Sequence, residues 1–219
     1  MRPEPGASAT AAKARKMGLE AVAVPLFIVE PVDWQAPEAS GFDGLLLTSA
    51  NAVRHGGDQL IALRGLRAYA VGEATAEAAR SSGFDIASAG DAGVERLLGS
   101  IEGDLRLLHL CGEHRIAVAA QQAVTRVPVY RSSALPAPKG LAQICGQVVA
   151  VHSPRAGRRL AELVDEARIA RSTIRIAAIS GAAAGAAGDG WAACEAAGNP
   201  SDGALLALAA RLCDNPGQQ

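Results

Sequence analysis

A length of 219 residues is enough for one large domain or two small ones. The formal net charge of −1 excludes a globally basic protein, so we expect no nucleic-acid partner. Hydrophobic residues make up 49% of the chain but aromatic residues only 3%, which favours close packing of helices against sheets over a core of large rings.

Short apolar runs alternate with helix-like stretches along the chain, which is typical of α/β proteins. Runs such as Leu45-Leu46-Leu47 indicate parallel strands that are covered on both faces. Helices are predicted over residues 7–17, 154–168 and 201–212, the last with Ser201 as its N-cap. Strands are predicted over residues 21–28, 44–48, 67–71, 86–89, 106–111, 125–130, 148–152 and 174–179.

A weak internal repeat runs along the chain. Residues 45–51 resemble residues 149–155, which aligns Ser49 with Ser153, and further pairs of similar segments follow in the same order. The repeat predicts two similar α/β domains, each with a parallel sheet.

One of the two domains is predicted to be discontinuous. Residues 1–29 resemble the opening of an α/β domain, and prolines within 25–31 and 128–138 mark two crossings of the chain. We therefore expect residues 1–29 plus 133–219 to form a discontinuous domain and residues 30–132 to form an inserted, continuous one.

Five predicted strands end in the same way, with a small polar residue followed by the start of a helix. In an open parallel sheet such turns lie at the carboxyl edge, where backbone N–H groups at helix N-termini bind anions. Ser49, Ser153 and Ser180 either cap their helices or bind a ligand, and five such turns favour a ligand with several negative charges. The turns are Thr48-Ser49-Ala50-Asn51, Val71-Gly72-Glu73-Ala74-Thr75, Cys111-Gly112-Glu113, His152-Ser153-Pro154-Arg155 and Ile179-Ser180-Gly181-Ala182.

The chain offers few reactive side chains. It contains neither a glycine-rich dinucleotide loop nor a Gly-Lys-Ser/Thr phosphate loop, so we expect no nucleotide cofactor. It also lacks the Gly-x-Ser-x-Gly turn of serine hydrolases. Cys111, His114 and nearby His109 suggest a metal, but no second pair completes a tetrahedral site, so we expect no metal.

Cysteine usage and the N-terminal sequence bear on the compartment. The four cysteines are widely spaced, so we interpret them as reduced thiols of an intracellular protein. The first residues do not resemble a signal peptide, and no apolar stretch reaches about twenty residues. We therefore expect a cytoplasmic protein without membrane contact.

Six segments, taken in order, carry a resemblance to a known family. They are Arg2-Pro3, Leu47-Thr48-Ser49-Ala50-Asn51-Ala52-Val53, Ala70-Val71-Gly72-Glu73-Ala74-Thr75-Ala76, Val129-Tyr130-Arg131, Val151-His152-Ser153-Pro154-Arg155-Ala156 and Ala177-Ala178-Ile179-Ser180. In this order and spacing they resemble uroporphyrinogen-III synthases. The resemblance implies two parallel-sheet α/β domains joined by a two-stranded β-ladder, one domain being discontinuous.

The resemblance also implies an activity. Members of the family are hydro-lyases that convert hydroxymethylbilane to uroporphyrinogen III with loss of water and inversion of ring D, using no metal or cofactor. The implied partner is a small-molecule substrate, a linear tetrapyrrole. We expect a monomer that makes transient contact with the preceding enzyme of the pathway.

The same resemblance implies the site residues. Tyr130 matches the tyrosine of the family's Val-Tyr motif and is implied as the catalytic group that hydrogen-bonds the departing hydroxyl; alternatively, its ring only packs at the end of a strand. The substrate's eight carboxylates would need backbone N–H groups and arginines. The residues expected to bind them are Arg2, Thr48, Ser49, Ala50, Asn51, Gly72, Glu73, Thr75, Gly112, Arg115, Ser153, Pro154, Arg155 and Ser180.

Two departures from the family pattern are visible. The family has an apolar strand before Arg-Pro, whereas this sequence opens with Met1-Arg2-Pro3, so the first strand of the discontinuous domain is expected to be lost or truncated. Residues 181–187 are unusually small for a helix, and Gly181 and Gly185 are each expected to weaken it by about 1 kcal/mol relative to alanine.

Two other readings of the residues stay open. One is a two-domain anion- or small-molecule-binding protein without catalysis, of the type that is exported. The other is a sugar-phosphate isomerase-like domain, since Thr48-Ser49-Ala50-Asn51 offers groups that cradle a phosphate.

Overall fold

Strands and helices alternate along the chain in the computed structural model, which describes residues 1–90, 93–101, 103–113 and 122–214. The contacts separate two units. Met1–Ile28 and Ala134–Gln219 form one, called here the discontinuous unit, and Val29–Ser133 forms the other, called the inserted unit.

The inserted unit is built on a parallel sheet. The strands follow the order β1-β6-β5-β2-β3-β4, and every pair from β6 to β4 is parallel. Leu45, Leu46 and Leu47 of β2 are at most 1% exposed, because helices or loops cover both faces of this central strand. The strands are β1 (Phe27–Pro31), β2 (Gly44–Leu47), β3 (Ala68–Val71), β4 (Ile86–Gly90), β5 (Arg106–Gly112) and β6 (Ala123–Ala134).

Helices follow three of these strands. α2 (Ala50–His55) begins after β2, α3 (Glu73–Ser81) after β3 and α4 (Val94–Gly99) after β4. Short 3-10 turns lie at Ala39–Gly41 and Gly57–Leu63. Both chain crossings between the units fall within neighbouring strands, β1 and β6.

The discontinuous unit has a smaller parallel sheet, in the order β7-β8-β9. Leu160, Leu163 and Val164 of α5 pack on one face of it, and Leu205 and Leu208 of α7 pack on the other. The elements are α1 (Gly6–Lys16), β7 (Val148–Val151), α5 (Pro154–Glu166), β8 (Arg175–Ala178), α6 (Gly181–Ala187), β9 (Ala193–Ala196) and α7 (Asp202–Asp214), with 3-10 turns at Leu141–Ile144 and Arg171–Thr173.

Most predicted elements are confirmed, but two differ. The predicted strand 21–28 is wrong over residues 21–25: Pro25 has no N–H to donate to a sheet and Val22 is 84% exposed, so the strand begins only at Phe27. β9 was not predicted, because Ala193-Cys194-Glu195-Ala196 contains no β-branched or aromatic residue. Residues 1–5 form no strand.

A close approach of two helices explains the small residues of α6. A Cβ placed on Gly157 of α5 would lie only 2.7 Å from the carbonyl oxygen of Ala183 and 3.1 Å from the backbone nitrogen of Ala187. Ala183 and Ala187 are at most 1% exposed, so α6 packs directly on the backbone of α5. Small side chains on α6 permit this distance. None of the helices in the described residues has the length and apolar content needed to span a bilayer.

Two glycine-to-alanine variants of this helix pair are expected to have opposite effects. Gly157→Ala should lower the free energy of unfolding by roughly 1–3 kcal/mol, because its methyl group meets backbone atoms that cannot move aside. Gly185→Ala should raise it by about 0.5–1 kcal/mol, because Gly185 is exposed, lies in a helix and has no atom within 4 Å of an added Cβ. Urea denaturation of both variants measures the difference, and equal effects would contradict the close approach.

Candidate active site

The carboxyl ends of three neighbouring strands of the inserted unit, together with the adjoining part of a fourth strand, form the candidate active site. In the order β5-β2-β3 these ends carry Gly112, Thr48 and Gly72, and Tyr130, which lies within β6, pairs with Gly112. Neighbouring strands are about 4.8 Å apart, so the four positions extend over roughly 15 Å along one edge of the sheet. The parallel pairing therefore brings together residues that are up to 82 positions apart in the chain.

Tyr130 lies directly over the last residue of β5. A Cβ placed on Gly112 would lie 2.7 Å from Tyr130 Cε2 and 3.1 Å from its hydroxyl oxygen, so only glycine leaves room for the ring. The N–H of Glu113 donates to the Tyr130 carbonyl oxygen at 3.0 Å, and the half-buried ring packs against the core of the unit. The phenol is thus held at the edge of the sheet.

A histidine that the sequence did not single out lies beside this tyrosine. The ring centroids of His55 and Tyr130 are 6.4 Å apart and the rings are tilted by 39°. His55 is the last residue of α2 and is half-buried. Burial and the neighbouring charge of Arg54 lower the pKa of His55 below 6.5, which keeps the imidazole uncharged at neutral pH. No spacing rule marks this pair in the sequence, because 75 residues separate its members.

The turn after β2 is held by its own hydrogen bonds. Thr48 Oγ1 lies 2.9 Å from Nε2 of His109, a histidine of β5 that is 4% exposed. Ser49 Oγ accepts the N–H of Asn51 at 3.2 Å and so caps α2. Ala50, the first residue of that helix, is 9% exposed. In this turn the serine acts as a cap, and its O–H proton can still be donated.

The turn after β3 depends on a glycine. Gly72 has φ +84°, a conformation that side chains disfavour, and it directly precedes α3. The carboxylate of Glu73 pairs with Arg80 at 2.6 Å, and Thr75 is 5% exposed. The side chain of Glu73 is thus a paired anion and that of Thr75 is buried, which leaves backbone N–H groups as the donors of this turn. Arg115 lies outside the described residues.

The carboxyl edge of the smaller sheet has the same capping pattern. Ser153 Oγ accepts the N–H of Ala156 at 3.1 Å, and Ser180 Oγ accepts the N–H of Ala183 at 3.3 Å. Pro154, the first residue of α5, is exposed. The guanidinium of Arg155 lies 4.4 Å above the ring of Phe27, a cation–π contact that orients it.

A charge cluster surrounds Asp202 at the start of α7. Arg2 Nη1 lies 3.1 Å from this carboxylate, Lys13 Nζ 3.2 Å and Thr10 Oγ1 3.2 Å. Arg2, expected to bind substrate, is therefore already paired with an internal carboxylate. Asp202 in turn has a lowered pKa, since the hydrogen bond from Lys13 and the charge of Arg2 outweigh the opposing effect of burial.

His152 is the buried member of this cluster. Its Nε2 lies 3.4 Å from Asp202, but neither ring nitrogen has a hydrogen-bond partner within the described part of the chain. Burial, assisted by the charges of the N-terminus and Arg2, lowers the pKa of His152 to about 4. The imidazole is therefore neutral at pH 7. In the ranges described, no group of three or more His, Cys, Asp or Glu is arranged to hold a metal ion.

Parallel sheets with serine-capped helices after their strands define an α/β protein of the class that binds ligands at the carboxyl edge of its sheets. The sequence model of the family described as "Uroporphyrinogen-III synthase HemD" matches residues 8–207. The chain therefore belongs to the uroporphyrinogen-III synthase family, whose members are lyases of tetrapyrrole biosynthesis.

Solved structures agree on the fold. The uroporphyrinogen-III synthetase of Helicobacter pylori shares 18% identity, with a TM-score of 0.66, over 86% of this chain and 92% of that chain. A mutant uroporphyrinogen III synthase of the extremely thermophilic bacterium Thermus thermophilus shares 20% identity, with a TM-score of 0.51, over 94% of each chain. A comparison with curated proteins finds no match.

His152→Asn is expected to flatten the dependence of stability on pH. The unfolded chain protonates His152 near pH 6.5 and the folded chain only near pH 4, so the folded state binds fewer protons between these values. Stability should therefore fall on acidification through this window, by up to about 3 kcal/mol more in the wild type than in the variant. Urea denaturation at several pH values measures this; parallel curves throughout would contradict it.

Proposed function

We propose that Tyr130 is the group through which this lyase assists the closure of hydroxymethylbilane to uroporphyrinogen III, with loss of water and inversion of ring D. The observation that carries the proposal is the contact of the Tyr130 ring with Gly112 at the carboxyl edge. The other tyrosine, Tyr69, lies within β3, where its ring packs near Gly44. Tyr130 is thus the phenol that stands where ligands of parallel sheets bind.

The reaction needs little from the protein in reactive groups. The pyrrole nitrogen releases electrons as the C–O bond of the terminal hydroxyl breaks, and the oxygen takes a proton from solvent as it leaves as water. The Tyr130 O–H donates a hydrogen bond to the departing oxygen, which stabilises the developing charge. The substituted carbon of ring D attacks the resulting azafulvene cation and gives a spiro intermediate. Its bond from that carbon to the bridge leading to ring C then breaks, and the bridge carbon bonds to the free carbon of the reversed ring D, which releases one proton to solvent. Holding one substrate conformation contributes on the order of 7 kcal/mol or more.

Each unit is proposed to bind carboxylates at its own strand ends. The hydroxyls of Ser49, Ser153 and Ser180 accept from their own helices and so orient their O–H protons as donors. Arg155 adds a charge and Arg2 adds the N–H groups that Asp202 does not take. The ion pair of Glu73 with Arg80 and the burial of Thr75 favour backbone rather than side-chain contacts at that turn.

We also infer the organisation of the enzyme. The division of contacts at Ile28/Val29 and Ser133/Ala134 supports two domains, residues 1–29 plus 133–219 and residues 30–132. The four free cysteines support a cytoplasmic location. Because the bilane closes spontaneously, transient contact with the enzyme that supplies it would limit its loss. We also propose that the protein is a monomer, and light scattering tests this.

Tyr130→Phe is expected to lower kcat for the III isomer by roughly 10- to 100-fold, because it removes one hydrogen-bond donor to the leaving oxygen. Tyr69→Phe is the matched control and should leave kcat within about twofold. The measurement is the rate at which the III isomer forms from fresh hydroxymethylbilane at saturating concentration, with the I isomer as the measure of spontaneous closure. A wild-type protein that binds the bilane but forms no III isomer would be a binding protein instead. Equal rates in both variants would remove Tyr130 from the reaction.

Gly112→Ala is expected to act through Tyr130. The added methyl group would displace the Tyr130 ring and lower kcat by roughly 10-fold. In a Tyr130→Phe background the same change should lower kcat little further, because the hydroxyl that it misplaces is already absent. The four rates of this double-mutant cycle give the coupling. Effects that simply multiply would show that Gly112 does not position the phenol.

A further inference from the structure

We propose that His55, in its neutral form, holds the Tyr130 ring in place and sets the acidic limit of the reaction. The inference rests on the proposed role of Tyr130 and assigns a positioning residue to it. Besides its packing against the core of the unit, the ring has two neighbours: the backbone of Gly112, where a Cβ would come within 2.7 Å, and the imidazole, whose centroid lies 6.4 Å away.

The backbone at the end of α2 is anchored, which fixes the position from which the His55 side chain extends. Trp34 Nε1–H donates to the carbonyl oxygen of Gly56, the residue after His55, at 2.9 Å. A Cβ on Gly56 would lie 2.8 Å from both the Ala52 carbonyl oxygen and the Leu60 side chain, so the chain packs closely at this position. The Trp34 hydrogen bond therefore anchors the backbone at the end of α2, next to His55.

The charges around His55 explain why its neutral form matters. Arg54 on the same helix is cationic, and the carboxylates of Asp33 and Asp58 line the same groove of about 670 Å³ as His55. Burial and Arg54 together keep the pKa of His55 below 6.5. Protonation at lower pH would place a second cation beside Tyr130. On the proposed role of Tyr130, the azafulvene cation of the substrate forms at the same place. Like charges at short range oppose that step.

A packing role alone predicts a different result. If the imidazole only filled space at the end of α2, replacing it would change stability and leave the pH profile of the reaction intact. The pH profile of kcat reports groups that titrate in the enzyme–substrate complex, so it separates the two roles.

The test compares the wild type with His55→Gln, Arg54→Gln and Tyr130→Phe between pH 5 and 8. In the wild type, kcat for the III isomer should fall at acidic pH with a midpoint below 6.5. His55→Gln should lose this acidic limb and lower kcat at pH 7.5 by roughly 3- to 10-fold with KM within about twofold. Arg54→Gln should move the midpoint upward, because it removes a neighbouring positive charge.

NMR titration supplies a readout that does not need activity. The His55 resonances should titrate below pH 6.5, higher in Arg54→Gln, and the Tyr130 ring signals should shift with them. If His55→Gln unfolds, His55→Asn and this titration replace it. The inference would be overturned if the acidic limb of the kcat profile persisted in the His55 variants. It would also be overturned if the Tyr130 ring signals did not shift as His55 titrates. Either result would leave the proposed role of Tyr130 intact. If the wild-type protein formed no III isomer, the proposed function itself would be contradicted, independently of the role of His55.

Discussion

Parallel pairing of β6, β5, β2 and β3 is the constraint on which the candidate site depends. Because these strands run in the same direction, the residues at the ends of β5, β2 and β3 emerge at one edge of the sheet, and Tyr130 within β6 lies beside the end of β5. The bulge between Cys111 and Gly112 then sets Gly112 opposite Tyr130 and lets the ring lie over a residue without a side chain. If β6 were antiparallel to β5, the carboxyl ends of the two strands would lie at opposite edges of the sheet.

The capping serines show how one residue serves structure and proposed binding together. A serine at an N-cap accepts an N–H from its own helix, which removes one unsatisfied donor and fixes its side-chain rotamer. The serine oxygen then accepts the helix N–H, while its O–H group remains available as a donor. For a reaction driven by the electrons of the substrate, several such fixed donors are worth more than a strong acid or base. The scarcity of reactive side chains in this chain agrees with that requirement.

Single residues show where sequence reasoning stops. Ser49, Ser153 and Ser180 were recognisable as caps because capping is local, spanning two or three residues. Glu73 and Thr75 occupy the same kind of turn, yet the ion pair with Arg80 and the burial of Thr75 change what they can do. Likewise, the small residues of α6 looked like a weakness of the helix, whereas they allow α6 to touch the backbone of α5 at Gly157.

By itself, the sequence determined the α/β class, the order of most strands and helices, the capped turns and the family, because each depends on local periodicity, on residues two to four positions apart, or on the order of short motifs. Only the tertiary structure decided which side chains meet: His55 with Tyr130, Thr48 with His109, and Arg2 with Asp202. These partners lie 61 to 200 positions apart in the chain. Strand order and helix packing bring them together, and both depend on contacts between distant segments that no single segment of sequence specifies.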